Sequence, residues 1–193
     1  MSINTQNGLS GETFNIECVK DKKSAPLKWK CCDLKQFCAK VQELNELQSE
    51  GQLRNARNDA NAAARRQAGD DAAADYRAAW NGTMAPMAAS GRLPPSGVTA
   101  QFYHPCAEAR ARRNGYQVGQ EMQADHVHEI QLGGHPTDFT NLRWLSSSVN
   151  GSIGSTLSNF DPDSCPGGIV ADCCPAEARA TCSNPANDEV QAL

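Results

Sequence analysis

A chain of 193 residues with 39% hydrophobic but only 6% aromatic side chains can bury one core, or one core with an appendage. No stretch approaches the roughly 20 apolar residues that cross a bilayer, and residues 1–10 are polar, without the apolar centre of a secretory leader. The formal net charge of −4 argues mildly against a nucleic-acid binder, because phosphate neutralisation calls for lysine and arginine, though a local basic cleft is compatible with it. In chain order, residues 1–90 read as a helical region with a cysteine-rich start. Leu34, Phe37, Val41, Leu44 and Gln48 recur at the three- and four-residue steps of an amphipathic helix. Alanine-rich segments at 60–68 and 72–79 predict further helix, with a break at Gly69-Asp70, Asp70 as an N-cap and Asn81-Gly82 as the end. Together they predict a helical hairpin or coiled-coil arm over about 33–80. Residues 85–97, with Pro86, Pro94 and Pro95, read as a link to the next part. Arginines recur at Arg54, Arg57, Arg65, Arg66 and Arg77 and cluster at Arg110, Arg112 and Arg113, either as solvated helix faces or as a modest basic approach.

The chemistry concentrates further on. Asp125-His126-Val127-His128-Glu129-Ile130-Gln131-Leu132-Gly133-Gly134 is followed by Asn141-Leu142 and then by Asn150. All 4 histidines (His104, His126, His128, His135) fall inside or just before this stretch, and imidazole exchanges protons near neutral pH. Val127, Ile130 and Leu132 predict a short strand, which the Gly133-Gly134 pair turns. Leu142, Trp144 and Leu145 predict a second strand, and Ser146 an N-cap for a helix over 147–153 that Gly154 would end.

In spacing these separated elements resemble the HNH, or ββα-metal, endonuclease motif: Asp-His, a Gly-Gly loop, Asn-Leu, and a closing Asn on a short helix. The resemblance covers about residues 120–155. It implies an α+β fold with a ββα-metal nuclease core at 91–160, the helical region 1–90 in front and a cysteine-rich, loop-dominated tail at 161–193. It implies His126 as general base and Asn141 as the residue that holds the loop and orients it. Asp125 and Asn150 would bind one divalent ion, Mg2+ first, with Mn2+, Ni2+ or Zn2+ as alternatives. Arg143, His128, Arg112 and Arg113 are the candidate substrate contacts. The substrate would be DNA, cut with little sequence preference.

No Cys-x-x-Cys knuckle occurs, so the structural zinc of many HNH proteins is not expected. The chain is in this respect closer to toxin-type HNH domains of bacterial polymorphic toxins and type VI secretion-type effectors. That narrower resemblance implies delivery by a specialised secretion system, action in the target-cell cytoplasm, and a cognate immunity protein as partner. Two other readings stay open: a cysteine-tied, non-enzymatic binding module, and a zinc hydrolase or RNase using the His126/His128 pair.

The 9 cysteines fall as Cys18, Cys31, Cys32 and Cys38 in front, Cys106 in the middle, and Cys165, Cys173, Cys174 and Cys182 behind. Front and back invite pairing with Cys106 left over, although spacing does not fix the connectivity and free buried thiols are the alternative. Disulfides would imply an oxidising stage. Residues 161–187, with Pro162, Pro166, Gly167, Gly168 and Pro175, predict a loop-rich flap tied down by cross-links.

Overall fold

Strand β1 (Phe14–Ile16) and strand β2 (Lys28–Lys30) lead into helix α1 (Cys31–Ser49) in a computed structural model that describes residues 9–16, 28–174 and 190–192. The stripe Leu34, Phe37, Val41 and Leu44 makes α1 a buried helix, as its spacing predicts. The same buried face carries Gln36, Lys40 and Asn45. Each of these polar groups is satisfied by a distant part of the chain, as burial requires. Gln36 Oε1 accepts the Ser146 N–H at 3.0 Å. Asn45 exchanges hydrogen bonds with the Ile169 backbone, 2.9 and 2.7 Å long.

Helix α2 (Ala62–Ala79) runs unbroken through Gly69-Asp70, against the expected break. Gly69 is not a breaker because its missing Cβ is used for close packing, described below. Nor does Asn81-Gly82 end the helix. A π-helical turn at Trp80–Met84 carries it into α3 (Ala85–Ala89), and such widened turns tolerate a following proline, here Pro86. Residues 85–97 are therefore largely helical, with α4 (Pro95–Thr99) next, followed by α5 (Pro105–Arg113).

Strand β3 (Met122–His126) pairs antiparallel with β4 (Leu142–Ser146), setting His126 opposite Leu142, Asp125 opposite Arg143 and Ala124 opposite Trp144. The first strand thus precedes the apolar run that was expected to form it, and Ile130–Leu132 is a 3-10 turn instead. Helix α6 (Ser147–Leu157) follows at once, with the Ser146 hydroxyl accepting the Val149 N–H as its N-cap. It continues past Gly154, whose backbone is not left-handed. Strand β5 (Ile169–Ala171) lies parallel to β1, and β6 (Val190–Ala192) antiparallel to β2.

The chain is thus a mixed α+β protein. Side chains alternate across the β3–β4 hairpin. Leu142 and Trp144 join Tyr76, Trp80 and Phe102 in one apolar cluster. Leu145 joins Phe37, Leu44, Val149 and Ile153 in the other. Helices α1 and α2 therefore serve opposite faces of the hairpin and do not pair with each other as a hairpin or coiled-coil arm. Among the described residues no helix is long and apolar enough to cross a membrane.

Cys106 is not the odd cysteine. It bonds Cys32 and fastens the start of α1 to α5, while Cys38 bonds Cys174 and fastens the middle of α1 to the segment after β5. Cys31 and Cys173 are also disulfide-bonded. Among the described residues Cys165 is the free thiol. Cys18, Cys182 and the flap residues 175–189 lie outside the described residues.

Candidate functional site

Period-two alternation sends the adjacent Asp125 and His126 to opposite faces of the hairpin. His126 faces α2, where Gly69 lets its ring in: a Cβ on Gly69 would collide with Ile130 Cδ1 and stand 3.2 Å from His126 Cε1. The ring nitrogen Nε2 lies 2.9 Å from the Pro136 carbonyl oxygen. A carbonyl only accepts, so Nε2 carries the proton and the neutral ring keeps its lone pair on Nδ1. Burial holds the imidazole pKa below its ordinary 6.5, and Lys40 adds to this against the opposing pull of Pro136, Asp125 and Asp70. His126 is therefore a neutral imidazole of fixed tautomer.

The loop that supplies Pro136 is clamped by Asn141. Its Oδ1 accepts the His128 N–H at 2.8 Å, and its Nδ2 donates to the carbonyls of His128 (3.0 Å) and His135 (3.2 Å). Asn141 acts on His126 through this loop and has no side-chain bond to the ring. Arg65 adds a second anchor by donating to the Gly133 and Gly134 carbonyls, at 3.1 and 2.7 Å. Gly133 has φ +106, and a Cβ on Gly134 would overlap the His128 carbonyl, so both glycines are sterically required. His128 Nε2 is turned onto the Leu132 carbonyl at 2.9 Å. With β3 ending at His126, the two imidazoles do not form the expected same-face pair.

Asp125 faces α1 and meets a fully buried ammonium. Lys40 Nζ lies 2.7 Å from Asp125 Oδ2 and 2.9 Å from Glu129 Oε1. It also donates to the His126 carbonyl, and lies 3.2 Å from the Tyr103 hydroxyl and 3.4 Å from the Val127 carbonyl. Tyr103 donates to Asp125 Oδ2 at 2.6 Å. Backbone bonds between segment 101–103 and Trp144 lay Tyr103 beside β4 and so bring it to Asp125. Burial works to strip the Lys40 proton, but Asp125 and Glu129 outweigh it and hold the ammonium above its usual range. Burial raises the Glu129 carboxyl, which moves the cluster towards neutrality.

The other expected site residues have their own partners. Asn150, on α6, donates to Gln123 Oε1 at 2.7 Å, two residues back along β3 from Asp125. Arg143 pairs with Glu43, on Asp125's face of the hairpin. Arg112 pairs with Glu108 at 2.8 Å and Arg113 is exposed in the last turn of α5. On the α2 side a cleft partly open to solvent is lined by Arg57, Arg65, Arg66, Ile130 and Gln131 among others. Arg57 there caps the end of α6 through the Leu157, Ser158 and Phe160 carbonyls. Among the described residues Arg66 has no ion-pair partner.

This donor set fits a divalent cation poorly. The Asp125 oxygen Oδ2 already serves Lys40 and Tyr103, so the carboxylate charge is spent on an ammonium. The Asn150 amide is engaged at Gln123 and not at Asp125. A cation brought to within 4 Å of the ammonium would be repelled by roughly 4 kcal/mol per unit charge at an effective dielectric of about 20. Among the described residues no three His, Cys, Asp or Glu side chains are grouped to hold a metal ion.

No protein-family model, no curated protein and no solved structure matches the chain. Lys40, Tyr103, Gly69 and Arg66 are the site residues that the spacing of the motif does not reveal. Arg66 belongs to the arginine pattern read as a possible basic approach, and Lys40 left a signal as a lysine within the apolar stripe, three residues after Phe37 and four before Leu44.

Proposed function

We propose that the chain is an endonuclease, a phosphodiesterase that cuts nucleic acid with little sequence preference and uses His126 as its general base. The observation that carries this reading is the His126 ring: neutral, nearly buried, its Nε2–H held by Pro136 and its Nδ1 left as the base. A base oriented through its second nitrogen is what deprotonation of a hydroxyl attacking phosphorus requires. Further support comes from the order of parts around the ring, with β3 paired to β4, a Gly-Gly loop clamped by Asn141, and α6 following directly and carrying Asn150. That succession is read here as a ββα nuclease core. Asn141 keeps the Pro136 carbonyl in place, and Arg66, which lines the cleft on the α2 side without an ion-pair partner among the described residues, is a candidate for a phosphate contact. The resemblance to toxin-type domains extends the proposal to an antibacterial effector with a cognate immunity protein.

The test is cleavage of DNA and RNA by the purified chain, beside His126→Ala. A general base contributes about 10²–10⁴-fold, so the variant should lose that much rate with its circular dichroism unchanged. Equal rates for variant and parent, or cleavage of neither polymer, would remove the reading.

A further inference from the structure

The buried ammonium on Asp125 has no part in the reading above, and it bears on which polymer is cut. We infer that Lys40 is the resident cation of this site, that cleavage consequently runs without a divalent metal, and that the substrate is RNA, whose own 2′-hydroxyl is the nucleophile; the inference rests on the nuclease reading. Lys40 Nζ is surrounded by Asp125 Oδ2, Glu129 Oε1, the Tyr103 hydroxyl and the His126 and Val127 carbonyls, an all-oxygen shell of the kind a hard metal ion would take. The ammonium has no exposure, so it does not touch substrate. It is a positioning residue: it consumes the charge of Asp125 and holds the consecutive His126 and Val127 carbonyls, which sets where the imidazole stands. The disulfides at Cys32 and Cys38, among those on α1, hold the helix that delivers it.

With Asp125 so engaged, the chemistry left on the other face is a single neutral imidazole. That is meagre equipment for driving water at a phosphodiester, but it suffices for a nucleophile already attached beside the phosphorus. Tethering of this kind reaches effective concentrations of about 10⁵–10⁸ M. His126 Nδ1 takes the 2′-hydroxyl proton, the O2′–P bond forms, and the P–O5′ bond breaks. The departing O5′ is protonated by the imidazolium or by water, leaving a 2′,3′-cyclic phosphate and a 5′-hydroxyl. Phe139 supplies a second observation. It is the exposed large apolar side chain among the described residues, at 43% exposure, two positions before Asn141 and edge-on to Tyr76 with ring centroids 5.5 Å apart. An aromatic held on the rim of the active-site loop is a stacking platform for an unpaired base, the usual mode by which single-stranded RNA is held.

The experiment uses the full, oxidised chain on single-stranded RNA and on DNA of the same sequence, each in Mg2+ and in excess EDTA, with Mn2+ binding followed separately by electron paramagnetic resonance. The expected result is RNA cleavage in EDTA at half or more of the Mg2+ rate, at least 100-fold over DNA, with cyclic-phosphate ends identified by mass spectrometry. Mn2+ should show no saturable binding that Asp125→Asn abolishes. Phe139→Ala should raise KM severalfold at unchanged kcat. Lys40→Met should lose at least tenfold in kcat, and if it does not fold, the EDTA and Mn2+ arms on the parent chain still decide. Cleavage that EDTA abolishes, DNA cut as fast as RNA, or Mn2+ held through Asp125 would overturn the inference and leave the nuclease reading standing. Cleavage of neither polymer would remove both.

Discussion

His126 shows how one side chain can be tuned by its neighbours without a carboxylate hydrogen-bonded to it. Its partner is a backbone carbonyl, which fixes the tautomer yet adds no full charge, and burial is the largest influence on its titration. A histidine whose folded pKa lies below the unfolded 6.5 prefers to be neutral in the fold. Its contribution to stability is therefore complete above the unfolded value and is lost as pH falls from there towards the folded value. For the proposed chemistry the same shift keeps the base free in mildly acidic solution. The acid limb of the kcat/KM profile should lie below 6.5, the ordinary histidine value, and measuring rate against pH between about 4 and 8 checks it. A limb above 6.5 would mean that the ring is not in the environment described.

At the scale of elements, α2 packs closely against His126 of β3 and against Ile130, and that fit depends on Gly69. Alanine would favour the helix by up to about 1 kcal/mol, but its methyl would push Ile130 aside and crowd the imidazole. Gly69→Ala should therefore change stability by no more than about 1 kcal/mol while lowering activity by about tenfold to a hundredfold, since an ångström of misplacement costs that much. Gly151 makes the contrast: it lies in α6 with nothing within 4 Å of its would-be Cβ. Gly151→Ala should raise stability by about 0.5–1 kcal/mol in urea denaturation. These two glycines also explain what could be read from the sequence. Strand β4, the Ser146 cap and the start of α6 were legible because local alternation and a capping hydroxyl decide them. The β3 boundary was not, because Asp125 and His126 are buried polar residues whose partners, Lys40 and Pro136, come from a distant helix and a loop. Gly69 read as a break for the same reason, since only the packed imidazole and Ile130 give its missing side chain a purpose.

Over the whole molecule, α1 is the member on which the rest is assembled. Its polar residues bind the end of β4, the Asp125 cluster and β5, and two of its cysteines are bonded to α5 and to the segment after β5. The two bonds close long stretches of chain, with sequence separations of 74 and 136 residues. Loop-closure entropy alone gives each a stabilisation of about 4–5 kcal/mol, although the two are not additive once the chain is already tied. For a chain of this size that corresponds to a Tm loss of about 10–20 °C when either is removed. Calorimetry of the Cys32→Ala, Cys106→Ala pair and of the Cys38→Ala, Cys174→Ala pair would measure it. The second bond has the greater reach into the site, because Cys38 stands two residues before Lys40 on the same helix. Its loss frees the middle of α1, and with it the ammonium that fixes the Asp125–Val127 segment at the end of β3. The Cys38, Cys174 variant should therefore lose activity well below its own Tm, whereas the Cys32, Cys106 variant should keep activity until it melts. Equal temperature profiles for the two, each scaled to its own Tm, would show that the position of Lys40 does not depend on the cross-link beside it.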